Sequence, residues 1–316
     1  MGRRKTFSMF ILVSVFFGGT FVAAKAGLAY FPPLLFVAFR FDIAAVVLAA
    51  YAFSATSREN LLPRTRRDVV GILATGLFAI GLANALLFVG QQYVSSGVGS
   101  IIFSLNPMLT PLFAAGFLAD ERLSARGGAG LLIGLLGVAL VVQPDPANLL
   151  GGGGLGKAII FGGAASGALG TVLVRWADTD LSSTARTAWA LPVSAALTHA
   201  MSAASGESLA AVTWTPTALF ALGYVGIFAG AVAYIAYFGL LDDVGAIHGN
   251  LVFYAVPIVA TLLGAVFLGE SISSLTLAGF ATIFTGFAVL GSASISTNLR
   301  GVPGTLADRW LPSTIR

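Results

Sequence analysis

The chain of 316 residues has no cysteine and little charge: charged residues make up 9% of it, and hydrophobic residues make up 57%. The missing cysteines exclude disulfide bonds and thiol chemistry, although they indicate nothing about the redox compartment. The scarce charge, with a mean hydropathy of +0.92, excludes a soluble globule, because too few polar residues remain to cover its surface. The lipid bilayer is therefore the predicted environment.

Metal-binding and catalytic residues are also scarce. The two histidines, His199 and His248, lie far apart, and no His-Glu-x-x-His sequence occurs. An intramembrane enzyme would need a metal-ligand pair, a catalytic dyad or an acidic cluster at membrane depth, whereas Asp242 and Asp243 lie in a predicted loop. We therefore predict that the protein is not an enzyme and has no cofactor. His248 is interpreted either as a pH sensor or as a polar helix terminus.

Apolar runs separated by turn residues make up most of the chain. Each is close to the roughly 20 residues that a membrane-spanning helix needs. The ten predicted spans are residues 7–24, 33–53, 69–91, 95–118, 127–142, 157–176, 184–204, 217–241, 247–268 and 275–291. The first run follows Arg3, Arg4 and Lys5 in the charge order of a signal peptide, but its length and the later spans favour a retained helix.

The second half of the chain repeats the first. Pro107 aligns with Pro257 at an offset of 150 residues, and Glu121 aligns with Glu270 at an offset of 149. The offset of 150 also pairs Lys25 with Arg175, Asn84 with Tyr234, Phe88 with Phe238 and Ser100 with Asn250. Such long repeats are common in secondary transporters, whose halves enclose a site near the middle of the membrane. We predict two domains, residues 1–150 and 151–292, and a cytoplasmic tail of residues 293–316.

The basic residues predict how the chain crosses the membrane. With a cytoplasmic N-terminus, 14 of the 17 Lys and Arg residues lie in cytoplasmic segments: Arg3, Arg4, Lys5, Arg58, Arg64, Arg66, Arg67, Arg122, Arg126, Arg175, Arg186, Arg300, Arg309 and Arg316. Such an excess marks the cytoplasmic side. Because each half has five predicted spans, an odd number, the second half enters upside down and the repeat is inverted. The basic residues behind the net charge of +4 are accounted for by the cytoplasmic segments. No nucleic-acid partner is therefore predicted.

A glycine-rich stretch joins the two predicted halves. Gly151 to Gly156 matches the pattern Gly-x-Gly-x-x-Gly. No predicted strand precedes it, as a dinucleotide-binding site would require. We interpret it as a flexible linker. The tail after Ser292 loses the periodicity of the apolar runs and alternates small polar residues with arginine.

Taken together, these features resemble the EamA-type transporters of the drug/metabolite transporter superfamily over residues 7–292. The features are ten spans in two inverted sets of five, a proline and a glutamate that close the fourth and ninth spans, and two basic residues near the start: Pro107, Glu121, Pro257, Glu270, Lys25 and Arg40. The resemblance implies export of small molecules by alternating access, through a central cavity lined mainly by helices one, three, four, six, eight and nine. It does not identify the substrate, because the family carries amino acids, other metabolites and drugs. The cationic-drug exporters of the superfamily have a glutamate in the first helix, whereas the first and sixth predicted spans here contain no acid.

Polar and aromatic side chains recur on matched faces of the predicted helices. Helical spacing places Ser100, Ser104 and Pro107 on one face, and the aligned residues of the ninth span follow the same spacing. The predicted cavity residues are Thr20, Asn84, Phe88, Ser104, Pro107, Tyr234, Asn250, Tyr254 and Pro257. Amide, hydroxyl and aromatic groups together suit a zwitterionic or neutral polar solute. In the alternative interpretation, Ser104 and Asn250 only satisfy carbonyls freed by the prolines or hold helices together.

Arg40 and Asp42 are charged residues inside the second predicted span. An arginine at membrane depth costs on the order of 2.5–3.5 kcal/mol, so Arg40 needs a polar partner or must snorkel to the interface. We favour a fixed structural or gating contact. Asp42 lies two residues away, on the opposite side of the helix, and does not pair with Arg40. It is the single acid well inside a predicted span, and therefore the obvious carrier for any proton coupling.

Charged residues at the ends of spans are predicted to have gating or structural roles. Lys25 and Arg175 align across the repeat but reach opposite membrane faces, so they are either paired gate residues or interfacial anchors. Glu121 and Glu270 precede the fifth and tenth spans. There, an acid complements the positive N-terminal end of the following helix.

The leading hypothesis is a secondary transporter, an exporter of small polar metabolites such as amino acids. A drug-efflux protein is the main alternative, followed by a channel or a passive helical scaffold. The predicted partners are a small-molecule substrate and lipid. The sequence predicts neither the substrate, nor the driving ion, nor the oligomeric state.

Overall fold

The computed structural model describes residues 3–118, 125–142, 152–240 and 252–300, and the regular structure in these ranges is entirely helical. Within them the chain forms ten long helices: α1 (Arg3–Gly27), α2 (Pro33–Ala55), α3 (Arg66–Gln91), α4 (Ser96–Phe117), α5 (Ala125–Val142), α6 (Gly152–Ala177), α7 (Ser183–Ala204), α8 (Pro216–Leu240), α9 (Val252–Leu268) and α10 (Ser274–Arg300). A single-turn helix, Arg58–Leu61, and a 3₁₀ turn, Leu209–Ala211, lie in the connections that follow α2 and α7.

Six helices in the described ranges are long and apolar enough to cross a membrane: α1, α2, α3, α4, α6 and α8. Shorter apolar helical segments occur in α5, α9 and α10. Helix α7 belongs to neither group, although it has 22 residues, and it contains Arg186 and His199. The chain is thus a multi-pass helical membrane protein, as predicted, while length and composition alone support fewer than ten spans.

The starts of several helices follow from capping residues. The side-chain oxygen of the residue before the helix accepts a hydrogen bond from the backbone N–H three residues later, which satisfies a donor that has no partner within the helix. This cap occurs at α3, α4, α7 and α8, through Thr65, Ser95, Ser182 and Thr215. The predicted boundaries therefore lie within a few residues of the observed ones at these four positions.

The structure contradicts one sequence-based interpretation of an irregular segment and adds a helical portion to another. Gly152 to Gly156 do not form a flexible linker, because they are the first residues of α6. A methyl group at Gly156 would meet the Gly90 carbonyl oxygen at 2.8 Å, so this glycine permits a close approach of α6 and α3 that a larger residue would prevent. At the other end of the chain, α10 continues to Arg300, eight residues into the predicted tail of residues 293–316.

Helices α3 and α8 each contain a segment of π-helix. These segments are Ala74–Leu82 and Tyr224–Val232. Both have nine residues, and they are 150 residues apart, the offset found in the sequence. A π-helix hydrogen-bonds from residue i to residue i+5 and frequently occurs at functional sites. The duplication is thus present in an unusual backbone conformation as well as in the residue types.

Glycines in the two π-helical segments make equivalent contacts. A methyl group at Gly76 would meet Val193 of α7 at 2.8 Å, and a methyl group at Gly226 would meet Ile43 of α2 at 2.9 Å. Each member of the first pair corresponds to a member of the second at the 150-residue offset. The glycines therefore permit close packing of α3 on α7 and of α8 on α2 in the same manner.

Helices α2 and α7, which the offset relates, pack against each other in antiparallel orientation. At the start of α2, the backbone N–H groups of Leu34 and Leu35 donate to the carboxylate of Glu207, which follows the end of α7. At the opposite end, Trp189 near the start of α7 donates to the carbonyl of Leu61, beyond the end of α2. The beginning of each helix thus lies beside the end of the other.

The related pairs α4–α9 and α5–α10 also pack together and also run antiparallel. Ser96, at the start of α4, is bound by Glu270, just beyond the end of α9. In the other pair, Gly137 lies against Gly279, whereas Gly134, earlier in α5, lies against Gly286, later in α10. The remaining contacts also occur in pairs that the offset relates. The contact of α1 with α9 corresponds to that of α6 with α4, and the contact of α3 with α6 corresponds to that of α8 with α1.

Candidate substrate site

Arg40 on α2 is a buried cation held by α3. Its side chain is 3% exposed, so it does not snorkel to an interface. Its Nη1 donates a hydrogen bond of 2.8 Å to Oδ1 of Asn84. The guanidinium carbon also lies 5.6 Å from the ring centroid of Phe41 and 5.5 Å from that of Phe88, within the range of cation–π attraction. The fixed contact expected for Arg40 is thus made by a neutral amide and two rings.

Asn84 is oriented by the π-helical segment that ends two residues before it. Its Nδ2 donates to the carbonyl oxygen of Ile80 at 2.8 Å, and Ile80 lies in that segment. Because the amide nitrogen is bound to a carbonyl, the amide oxygen is the atom that faces Arg40. Asn84 is 7% exposed, so both hydrogen bonds are shielded from bulk water. The irregular backbone therefore positions a single acceptor beside the cation.

Tyr234 occupies the corresponding position on α8, two residues after the second π-helical segment. Its ring lies 5.4 Å from that of Phe17 on α1 and 5.9 Å from that of Phe238 on α8. Tyr234 lies within electrostatic range of Arg40. Three predicted cavity residues, Asn84, Phe88 and Tyr234, are thus brought together around Arg40.

An aromatic cluster extends from Tyr234 toward α9. Phe17 stacks on Phe253 at 6.0 Å and contacts Tyr237 edge-on at 5.9 Å, and Tyr237 is 5.5 Å from Phe253. We call these four residues, Phe17, Tyr234, Tyr237 and Phe253, the aromatic cluster. The sequence analysis missed Phe17 and Phe253, because a phenylalanine in an apolar span carries no local sign of a site. Their position relative to Tyr234 requires the packing of α1, α8 and α9.

The predicted hydroxyl residues bond within their own helices. Thr20 Oγ1 donates to the carbonyl of Phe16 at 3.1 Å, and Ser104 Oγ donates to that of Ile101 at 2.7 Å. Ser104 ends the first part of α4, and Asn106–Phe117, with Pro107 in its first turn, forms the second part. Ser104 thus lies at a break in α4 and satisfies a backbone carbonyl there. The proposed contact of these residues with substrate stays a prediction.

The predicted residues of α9 lie elsewhere or outside the described ranges. Tyr254 packs edge-on against Phe284 and Phe287 of α10, at 5.2 Å and 4.4 Å. Pro257 is buried within α9. Asn250 lies outside the described residues, as do Glu121 and His248. The structure packs Tyr254 against α10, and the prediction that it shares a cavity with Asn84 and Tyr234 stays a prediction.

Lys25 and Glu270 bind the ends of neighbouring helices. Lys25 Nζ donates to the carbonyl oxygens of Gln91 and Gln92, at 2.9 Å and 3.2 Å, and so caps the C-terminal end of α3. Glu270 accepts hydrogen bonds from the backbone N–H and the hydroxyl of Ser96, at the N-terminal end of α4. The expectation that Glu270 complements the helix that follows it is therefore wrong, because it complements α4, with which α9 packs. The two charged groups also interact electrostatically.

We call four residues the end network: Lys25, Gln91, Ser96 and Glu270. They lie where the ends of α1, α3 and α9 meet the start of α4. Gln91 also donates its side-chain amide to the carbonyl of Phe21 on α1, which ties α3 to α1 a second time. The equivalent of Lys25, Arg175, lies in the last turn of α6. Its role at the other end of the molecule stays a prediction.

Asp42 and His199 form a side-chain contact between α2 and α7 that the sequence analysis did not predict. Asp42 Oδ2 lies 2.9 Å from His199 Nε2, and both side chains are a little under half exposed. The two residues are 157 positions apart. They meet because the beginning of α2 lies beside the end of α7. Asp42, the predicted proton carrier, thus lies within hydrogen-bond distance of a histidine.

The site combines a buried cation, an amide and several rings, which suits reversible binding of a small polar molecule. In the described residues, no three His, Cys, Asp or Glu side chains gather where they could hold a metal ion.

Comparison with known proteins places the chain among membrane transporters. The EamA-like transporter family model matches residues 4–143 and again residues 154–292. An uncharacterized transporter of Archaeoglobus fulgidus is 24% identical over 90% of this chain and 98% of its own length. The uncharacterized inner membrane transporter YedA of Escherichia coli K12 is 26% identical over 85% of each chain.

A plant protein and a solved structure extend the similarity. The WAT1-related protein At3g02690, chloroplastic, of Arabidopsis thaliana is 29% identical over 86% of this chain and 66% of its own length. A crystal structure superposes with a TM-score of 0.60 at 22% identity, over 92% of this chain and 98% of the other, which supports the fold alone. The family match spans nearly the whole chain in two consecutive copies, and the resemblance predicted from the sequence is confirmed: the protein belongs to the EamA-like transporter family.

Proposed function

We propose that this membrane transporter is a secondary exporter of small polar metabolites such as amino acids, working by alternating access through a central cavity. The observation that carries the proposal is the antiparallel packing of the offset-related helices α2–α7, α4–α9 and α5–α10. Inverted repeats of this kind allow one half to rock against the other around a fixed site. A passive helical scaffold has no need of two interchangeable halves.

The proposed topology has ten spans in two inverted sets of five, α1–α5 and α6–α10, with both termini in the cytoplasm of a cell whose plasma or inner membrane holds the protein. The basic residues of the sequence support this orientation. The antiparallel pairs support the inversion, because a repeat with the same orientation in both halves would place related helices parallel. The four helices that length and composition alone do not identify as spans, α5, α7, α9 and α10, complete the count by packing against longer apolar helices or against each other.

In the proposed cycle, the end network closes one end of the cavity. Lys25 on α1 binds the end of α3, and Glu270 after α9 binds the start of α4. These contacts hold the four helices together at this end, and they break together when the halves rock. Arg175 would act at the opposite membrane face by the symmetry of the repeat. Ligand binding then shifts the balance between two pre-existing states, provided that the ligand binds them with different affinities.

A counterflow experiment with purified protein in liposomes tests this proposal. Liposomes are loaded with one unlabelled amino acid at a time, and the entry of trace amounts of the same labelled amino acid is followed. A transporter gives transient accumulation that saturates with the internal concentration, whereas a channel only equilibrates the label. Liposomes without protein are the control. Equilibration without accumulation across a full set of amino acids contradicts the proposal.

A further inference from the structure

Arg40 is a buried cation without a carboxylate partner in the described part of the chain. Asn84 is the one hydrogen-bond acceptor that these residues provide, although a guanidinium has five N–H donors. The Nε atom is buried and makes no hydrogen bond. Isolated charges at low dielectric are strongly unfavourable, and buried charges are normally paired. The observed contacts therefore leave the charge of Arg40 unbalanced.

The acids on the surrounding helices are engaged elsewhere. Asp42 faces His199 of α7. Glu207 binds the backbone N–H groups at the start of α2, and Glu270 binds Ser96 of α4. None of these three carboxylates is an ion-pair partner of Arg40 in the structure.

From this unbalanced charge we infer that Arg40 is the recognition residue for a carboxylate on the transported solute. This inference rests on the proposed function, since it assigns a chemical group of the substrate to the proposed site. The planar guanidinium presents parallel N–H donors that match the two oxygens of a carboxylate. Asn84 holds one nitrogen, and the rings of Phe41 and Phe88 fix the plane of the group. The cation is therefore pre-organised before the ligand arrives, which lowers the entropic cost of binding.

The charge of the site favours a monoanionic group over a phosphate. Arg40 is the only basic side chain among the described residues that is fully buried, and Lys25 is committed to the carbonyls of α3. One positive charge balances one carboxylate, whereas a phosphate dianion would bring a second, uncompensated negative charge into a desolvated site. The aromatic cluster, which includes Tyr234, suits the rest of a small organic acid or amino acid.

The repeat makes this site one-sided. The position equivalent to Arg40 in the second half is Ala190, which is completely buried and apolar, and the position equivalent to Asn84 is Tyr234. A substrate therefore meets its cationic partner on the first half alone and aromatic groups on the second. A solute with a carboxylate at one end and a group that packs on aromatic rings at the other fits this asymmetry.

Equilibrium binding to purified full-length protein tests the inference independently of transport. The probes are glycine, leucine, phenylalanine and glutamine, each as the free acid and as the C-terminal amide, and the readout is the shift in thermal unfolding temperature with probe concentration. We expect at least one acid to stabilise the protein and its amide to bind about tenfold more weakly or worse, because a charge-assisted hydrogen-bonded pair is lost. If every amide binds as well as its acid, or no acid binds, the inference is overturned.

Asn84→Asp provides a variant that does not depend on removing Arg40. The new carboxylate has nearly the same shape as the amide and supplies the missing partner, so we expect a higher unfolding temperature together with loss of the preference for acids over amides. Asn60→Asp makes the same chemical change in an exposed connection and should leave both unchanged. Retention of the acid preference in Asn84→Asp, or in Arg40→Gln, overturns the inference.

The two experiments separate the failure of this inference from the failure of the proposed function. Counterflow of amino-acid amides as fast as that of the acids leaves the transporter intact and overturns the role of Arg40. A preference for acids in equilibrium binding, without counterflow of any amino acid, supports the carboxylate site and contradicts the proposed transport cycle.

Discussion

Asn84 accepts a hydrogen bond from Arg40 with Oδ1 and donates one to the Ile80 carbonyl with Nδ2, both at 2.8 Å. The same small side chain thus binds the only fully buried basic residue in the described ranges and a backbone group of the π-helical segment. This double contact links the irregular helix to the charge inside the membrane. It explains why an amide, which both donates and accepts, suits this position.

Asn84→Ala should destabilise the protein by about 1.5–3 kcal/mol, because the buried charge of Arg40 loses its acceptor and the Ile80 carbonyl loses a donor. The unfolding temperature of the purified variant in detergent measures the effect. Asn60→Ala, at an exposed position, is the control and should differ by less than about 0.5 kcal/mol. Equal stability of the two variants would show that the contact between Arg40 and Asn84 contributes nothing.

Gly137→Ala should destabilise the packing of α5 on α10. The added methyl group would lie 2.6 Å from the backbone nitrogen of Ile283 and 2.7 Å from the carbonyl oxygen of Gly279, so the helices must separate, at a cost of about 1–3 kcal/mol. Gly116→Ala is a matched control, because nothing lies within 4 Å of a methyl group there. That variant should be neutral or up to about 1 kcal/mol more stable, from the higher helix propensity of alanine. If Gly137→Ala and Gly116→Ala lower the unfolding temperature by the same amount, the prediction is contradicted.

Reporter fusions should place both termini in the cytoplasm. A reporter active only outside the cytoplasm should be inactive after Arg316 and after Asn60, between α2 and α3, and active after Gly206, between α7 and α8. The expectation follows from the basic-residue asymmetry and from the odd number of helices in each half. Activity after Arg316 would invalidate the proposed topology, and inactivity after Gly206 would invalidate the inversion.

Single cysteines should report which predicted cavity residues meet water, since the chain has no cysteine of its own. Cysteines at Asn84 and Tyr234, beside Arg40, should react with a water-soluble maleimide when the cavity opens in the proposed cycle. A cysteine at Tyr254 should react more slowly, because the structure packs that side chain against Phe284 and Phe287. Val266, 75% exposed on the outer surface of α9, provides a lipid-facing control. If Asn84→Cys and Tyr234→Cys are labelled no faster than Val266→Cys, these positions are packed between helices and do not line a cavity.

Residue types and their spacing were enough to predict the helical fold, the family and the equivalence of positions 84 and 234, each two residues after a π-helical segment, because a duplicated sequence retains its offset in the structure. The same information did not predict that Arg40 binds Asn84 or that Asp42 binds His199, since these contacts depend on how separate helices pack. For Glu270, local reasoning predicted the right kind of contact with the wrong helix. An acid after a helix complements whichever N-terminal end the packing brings nearest, and here it is that of α4.

The prediction for the two ends of the cavity compares Lys25→Ala with Arg175→Ala, each in a protein with a cysteine at Asn84. Lys25 caps α3 through the carbonyls of Gln91 and Gln92. Its removal frees this end of the bundle, and we expect faster maleimide access to Asn84→Cys from the outer side and slower access from the inner side. Arg175 is equivalent to Lys25 by the 150-residue offset but lies at the opposite face in the proposed inverted topology, so Arg175→Ala should shift access in the reverse direction.

Both variants should change the balance between two states and not the site itself, because Lys25 binds the C-terminal end of α3 and Arg175 lies in the last turn of α6. The affinity for a ligand that binds both states equally should therefore stay the same. Gln92→Ala removes an exposed side chain beside Lys25 while keeping the carbonyl that Lys25 binds, so it should leave access from both sides unchanged. If Lys25→Ala and Arg175→Ala also leave access unchanged, the two residues are interfacial anchors. The end network then stabilises the fold without controlling access to the cavity.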